Sequence, residues 1–90
     1  MIRNFNRVRL VVVQAGENIY FDKYYEDVLV VMDKFNYFCK LAKINHQQEP
    51  GFVFDRTDKY NEISAYFPDN EGNDLNQSGF VQVSMYFEVA

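Results

Sequence analysis

Residues 26–44, EDVLVVMDKFNYFCKLAKI, form the segment of this 90-residue chain in which apolar residues recur with helical spacing. The recurring positions are Val28, Val31, Met32, Phe35, Phe38, Cys39 and Ala42. In an α-helix these positions share one stripe of the surface. Glu26 and Asp27 at the start, and Lys40 and Lys43 near the end, suit the helix dipole. We therefore expect one helix whose apolar stripe faces a core.

Strand-like runs on either side of this helix indicate β-strands, most clearly the alternating runs at 7–14 and 80–90. The other runs are 19–25 before the helix, and 52–57 and 59–67 after it, which read as a hairpin. The resulting order, β-β-α-β-β-β, most simply makes an antiparallel sheet with the helix packed across one face. We predict a single α+β domain over residues 1–90, with four to five strands in that sheet.

Composition limits the classes of protein that this chain can belong to. Apolar residues make up 48% of the chain, which is enough for a packed core, and a charged fraction of 24% argues against disorder. The net charge of -4 disfavours nucleic-acid binding, which is built largely from Lys and Arg. No segment is apolar over the ~20 residues of a membrane span. A single cysteine, Cys39, cannot form an internal disulfide, so we expect a soluble protein of a reducing cytoplasm.

A second row of apolar residues lies on the opposite side of the predicted helix: Val30, Tyr37, Leu41 and Ile44. A helix packed on one sheet needs one apolar stripe, so another part of the chain, a second copy or a different protein must cover this row. The loops at 45–51 and 68–79 could do so from within the chain. We predict these four residues as a partner-binding site, with a tyrosine as its anchor, because Tyr is enriched among interface residues that carry binding energy.

The sheet face away from the helix is predicted to carry Arg7, Arg9, Tyr20, Tyr66 and Tyr86. Aromatic side chains beside arginines stack single-stranded nucleic acid in several protein folds. The same residue types also occur on exposed sheet faces for strand propensity and cross-strand packing. Because the whole chain is acidic, nucleic-acid binding at this face is an alternative rather than the leading hypothesis.

The polar loop at 68–79 contains a partial calcium-loop pattern. Asp69, Glu71 and Asn73 have the alternating spacing of the first ligands of such a loop. Asp74 stands where Gly must make the sharp turn, and Phe80 stands where a bidentate Glu is needed. The pattern therefore favours an exposed loop without a metal.

Catalytic patterns are equally weak. His46 is the only histidine, and Cys39 falls within the core stripe of the helix, so the two do not suit a nucleophile and its base. We expect no enzyme activity, no cofactor and no small-molecule substrate.

These observations favour a small, acidic, non-enzymatic protein-binding module. Nine Asn, sixteen Phe and Tyr together and no Trp are typical of AT-rich coding sequences, so the hypothesis extends to a phage or mobile-element inhibitor of a host factor. One alternative is a self-assembling, homodimeric structural protein joined by the same helix row. The other is a single-stranded nucleic-acid binder that uses the aromatic and arginine face.

Overall fold

A computed structural model describes residues 5–14, 18–46, 49–67 and 80–89. The elements are β1 (Phe5–Gln14), β2 (Asn18–Tyr25), α1 (Val28–His46), β3 (Gly51–Arg56), β4 (Tyr60–Tyr66) and β5 (Phe80–Val89). The predicted α+β class and the order β-β-α-β-β-β are confirmed, and the sheet has five strands. The calcium-like positions within the predicted loop at 68–79 lie outside the described residues.

The five strands form one antiparallel sheet in the order β2-β1-β5-β4-β3. The last strand, β5, lies at the centre of the sheet, between β1 and β4. Both central strands, β1 and β5, are ten residues long, whereas β2 and β3 form the two edges with eight and six residues. Central strands bury apolar residues best, which fits the valine-rich sequences of β1 and β5.

The core lies between α1 and the middle of the sheet. Its buried residues are Val8, Leu10, Val12, Val31, Phe35, Phe38, Ala42, Ala65, Phe67, Val83 and Met85. They alternate along the strands and follow helical spacing along α1, as predicted from the sequence. Burying one large apolar side chain of this kind contributes about 1.5–3 kcal/mol to folding.

The helix covers only part of the sheet. It packs mainly on β5 and β1, with some contact to β2. A helix is about 10 Å wide and neighbouring strands are about 4.8 Å apart, so one helix covers about two strands. Val28 and Met32, which the sequence predicted within the buried stripe, are therefore exposed at 39% and 44%. The rest of the stripe is buried or partly buried as predicted.

Helix α1 begins with a side-chain cap. The backbone N–H of Leu29 donates to Oδ1 of Asp27 at 2.9 Å, and the N–H of Val31 donates to the Asp27 carbonyl at 3.2 Å. An aspartate at this position satisfies N–H groups that the first helical turn leaves unpaired. Within the described part of the chain, no helix combines the length and the apolar character needed to cross a membrane.

Strand β2 contains a bulge that changes one prediction. Val12 pairs with Phe21 and Val13 pairs with Ile19, so Tyr20 is an extra residue on β2. A bulge breaks the two-residue alternation of side chains. The ring of Tyr20 lies 6.2 Å from the ring of Phe38, on the helix side of the sheet. We call the face of the sheet away from the helix the open face. The prediction that Tyr20 lies on the open face is therefore wrong.

Candidate functional site

Three of the four predicted partner-binding residues of α1 are exposed, and we call them the outward row: Val30, Tyr37 and Ile44. Tyr37 is 57% exposed and Ile44 is 63% exposed. The fourth predicted residue, Leu41, is instead partly buried and packs against the core. Leu41 follows Phe38 by three positions, which places it beside the buried stripe of the helix. The rings of Tyr37 and Phe38 contact each other in an edge-to-face arrangement, with centroids 5.4 Å apart.

The outward row has the spacing of a coiled-coil seam. Its three residues are seven positions apart, and the intervening seam positions, at alternating steps of four and three, are the exposed Lys34 and the partly buried Leu41. This spacing keeps a line of side chains facing a partner helix. Fourteen residues of α-helix make the line about 21 Å long. A groove lined by Val30, Asp33, Lys34 and Tyr37 opens on this side of α1. The sequence predicted the outward row, and the seven-residue spacing of its members was a further signal in the same sequence.

The charge of α1 is opposite in sign to the charge of the whole chain. Residues 28–46 contain one Asp and three Lys, whereas the 90 residues together carry a net charge of -4. Lys43 forms an ion pair with Glu49, with 2.5 Å between Nζ and Oε1. Lys34 and Lys40 are exposed beside the outward row. The net charge of the whole chain therefore does not show that α1 is locally basic.

The two arginines of the open face are engaged with carboxylates. Nε of Arg7 lies 2.6 Å from Oε2 of Glu88, and Arg9 donates two hydrogen bonds to Asp22, at 2.8 and 2.5 Å. These bonds raise the pKa of Arg9 and lower the pKa of Asp22. The Arg7 guanidinium also lies over the ring of Tyr24, 3.7 Å from its centroid. The charges that would attract phosphates are thus largely balanced within the sheet.

The predicted tyrosines of the open face are partly engaged as well. Tyr86 lies edge-to-face with Tyr60, with ring centroids 5.3 Å apart, and its phenol pKa is raised by burial. Tyr66 is exposed on the same face, opposite Gln82. Between them the buried hydroxyls of residues 64 and 84 are hydrogen-bonded at 2.8 Å. The structure therefore places Tyr86 beside Arg9 and puts Tyr66 on the same face at a distance from both arginines, whereas Tyr20 lies on the other face.

Cys39 is poorly suited to nucleophilic chemistry. Its side chain is partly buried, and burial raises the pKa of the thiol to about 11. A thiol acts as a nucleophile in its ionised form, so almost all of Cys39 is unreactive at neutral pH. The side chain of His46 lies outside the described part of the structure. Among the described residues, no three metal-ligating side chains come together.

Strand β3 carries an exposed surface that the sequence did not predict: Phe52, Val53 and Phe54, which we call the β3 surface. All six residues of β3 are exposed. Phe52 and Phe54 pair with Ala65 and Ile63 and so lie on the helix side of the sheet, where they are 54% and 72% exposed. Val53 lies on the open face. The available signal for this surface was the run of three consecutive apolar residues. Such a run has apolar side chains on both faces of its strand, and an edge strand cannot bury both faces against one helix.

No protein-family model matches this chain, and no curated protein or solved structure matches it. The assignment of a function therefore depends on the chain's own residues and their geometry.

Proposed function

We propose that this protein is a non-enzymatic protein-binding module, and that its partner contributes an amphipathic helix with acidic flanks, which docks along α1. The observation that carries the proposal is the exposed outward row with its seven-residue spacing. Apolar residues at this spacing are the contacts that a helix lying alongside another helix uses.

The charge around the row supports an acidic partner. Lys34 lies within the seam and Lys40 lies beside it, so carboxylates on a docked helix would meet these ammonium groups. Two parallel copies of α1 would instead bring Lys34 against its own counterpart. Like charges at that position disfavour the pairing. The charge pattern thus favours a foreign helix over a second copy at this surface.

Tyr37 is the proposed anchor. It is the large aromatic residue at the centre of the outward row, and its ring contact with Phe38 would favour one orientation of the side chain before binding. Preorganised aromatic residues at the middle of an interface commonly carry most of the binding energy.

The remaining hypotheses receive less support. Binding of single-stranded nucleic acid would require Arg7 and Arg9 to leave Glu88 and Asp22, or to bind phosphate while still paired. The inhibitor hypothesis still depends on composition and size, to which the described contacts add nothing. A homodimer joined by the outward row is opposed by the lysines of α1.

The test is affinity capture with the purified chain from lysate of the cells that express it. The binding variant combines Tyr37→Ala with Ile44→Ala, and the matched control combines Asn36→Ala with Lys43→Ala on another exposed side of α1. A partner that uses the outward row should bind wild type and the control equally. We expect the binding variant to retain it at least about tenfold less well.

Charge provides a second readout. Lys34→Glu should weaken capture, and rising salt should weaken capture by wild type, because the attraction between exposed charges is screened. Equal capture by wild type and the outward-row variant would overturn the proposal. Capture that Lys34→Glu strengthens would retain the surface but reverse the proposed charge of the partner.

A further inference from the structure

We propose that the β3 surface binds a second copy of this chain, with the two β3 strands pairing antiparallel about a two-fold axis at Val53. This would join two five-stranded sheets into one ten-stranded sheet. The proposal concerns a different surface from the outward row, so the two can succeed or fail separately.

The two edges of the sheet differ in how well they are protected. Natural edge strands avoid pairing with other chains through charged residues, prolines or bulges. β2 has a bulge at Tyr20 and charged residues at Asp22 and Lys23. β3 pairs with β4 in regular register over its described length and has no bulge there; its charged residues, Asp55 and Arg56, lie at one end, beyond the three apolar residues at its centre. Its outer edge pairs with no strand among the described residues.

The hydrogen-bond pattern identifies which backbone groups of β3 face outward. The N–H of Thr57 donates to the carbonyl of Tyr60 at 2.8 Å, which makes this pair a hydrogen-bonded one. Hydrogen-bonded and non-hydrogen-bonded pairs alternate in an antiparallel ladder, and Val53 lies four residues before Thr57. The backbone N–H and C=O groups of Val53 therefore bond to β4. The N–H and C=O groups of Phe52 and Phe54 therefore point away from β4 and are available at the edge.

Only some registers satisfy a two-fold axis. Residues that face each other in an antiparallel pair must point to the same face of the sheet, so one residue has to lie opposite itself. With Val53 opposite Val53, Phe52 of each copy lies opposite Phe54 of the other. The outward N–H and C=O groups of both phenylalanines then pair across the axis. The strand is thus complementary to itself in backbone and in side chains.

The side chains would form an aromatic cluster in this register. Phe52 and Phe54 already lie nearly parallel on one face, with ring centroids 6.5 Å apart. The two-fold axis would bring the four rings of two copies side by side on the helix side of the sheet. Cross-strand aromatic pairs stabilise antiparallel sheets by roughly 0.2–1 kcal/mol each. On the open face, Asp55 would lie opposite Gly51, so no like charges meet.

Sedimentation velocity of the purified chain provides the first test. The interface is small, so we expect monomer and dimer to exchange between about 1 μM and about 500 μM. Phe54→Lys places a charge at the centre of the edge, and because this side chain is 72% exposed the variant should fold normally by circular dichroism. We expect Phe54→Lys to remain monomeric, whereas the control Ile44→Lys on the outward row should dimerise as wild type does. A monomeric wild type throughout this range would overturn the proposal, as would a dimer lost only in Ile44→Lys.

Cross-linking tests the register itself. In a Cys39→Ala background, Val53→Cys should form an intermolecular disulfide under mild oxidation, because facing residues in such a pair have Cβ atoms about 4.5–5.5 Å apart. Asp55→Cys is the matched control on the same face of β3. Its two copies would lie about 14 Å apart along the strands and should not cross-link. Equal cross-linking of the two variants, or cross-linking of Asp55→Cys alone, would contradict pairing centred on Val53.

Discussion

At the scale of single residues, the open face is defined by paired charges rather than by free ones. Arg9 bonds Asp22 across neighbouring strands through two hydrogen bonds, and Arg7 combines an ion pair with a contact over Tyr24. Cross-strand pairs of opposite charge stabilise a sheet modestly. These arginines therefore stabilise the open face and are less available to a partner than the exposed residues of α1 and β3.

The Arg9 and Asp22 pair predicts a pH dependence of stability. Because the folded-state pKa of Asp22 is lowered, the pair stabilises the fold above the unfolded-state pKa, and this contribution is lost as the pH falls through the lower folded-state pKa. Asp22→Asn should lower the free energy of unfolding at pH 7 by less than about 1 kcal/mol, since both side chains are partly exposed. Urea unfolding from pH 7 to pH 2 should show the difference shrink in acid. A difference that persists unchanged at pH 2 would contradict this origin.

Cys39 predicts slow and strongly pH-dependent alkylation. Its thiol has a pKa of about 11, so the ionised fraction should rise about tenfold with each pH unit below that value. Iodoacetamide labelling followed by mass spectrometry should be slow at pH 7 and should accelerate steadily to pH 10. In urea the same cysteine should react with the pKa of an ordinary thiol. Rapid labelling of the folded chain at pH 7 would show that the thiol is not buried as described.

At the scale of elements, the sequence predicted α1, β1 and β5 because each has a clear hydrophobic period. The buried stripe of the helix and the alternation in β1 and β5 follow directly from that pattern. The bulge at Tyr20 could not be predicted, because a run of apolar and aromatic residues contains no local signal for one extra residue. Leu41 could not be assigned either, since its burial depends on where the helix lies relative to the sheet.

The cap of α1 gives a prediction at this scale. Asp27→Ala removes the acceptor for the Leu29 N–H and should lower the free energy of unfolding by about 1 kcal/mol. Asp27→Asn keeps a capping oxygen and should lose much less. The neighbouring Glu26→Ala is the control, and chemical unfolding monitored by circular dichroism measures all three. A loss for Glu26→Ala equal to that for Asp27→Ala would indicate a general charge effect instead of a cap.

At the scale of the whole molecule, one helix is too narrow for a five-stranded sheet. This leaves the β3 surface uncovered, while the outward row of α1 lies on the far side of the same helix. The element order predicted the helix on one face, but the order of the strands was needed to show which half of the sheet remains open. That order depends on β5 inserting between β1 and β4, a long-range pairing that no local pattern encodes. The outward row followed from the sequence alone, whereas the β3 surface could be recognised only once β3 was known to lie at an edge of the sheet.

The central claim is that this chain leaves the outward row uncovered, and carbene footprinting of the dilute purified protein tests it most directly. A photoactivated diazirine labels apolar side chains in proportion to their exposure. We expect strong labelling at Tyr37 and Ile44, approaching that at Phe54, intermediate labelling at Val30, and weak labelling at Val31 and Phe35, which are buried. Labelling of the outward row as weak as that of Val31 and Phe35 would show that another part of the chain covers it, and would contradict the claim.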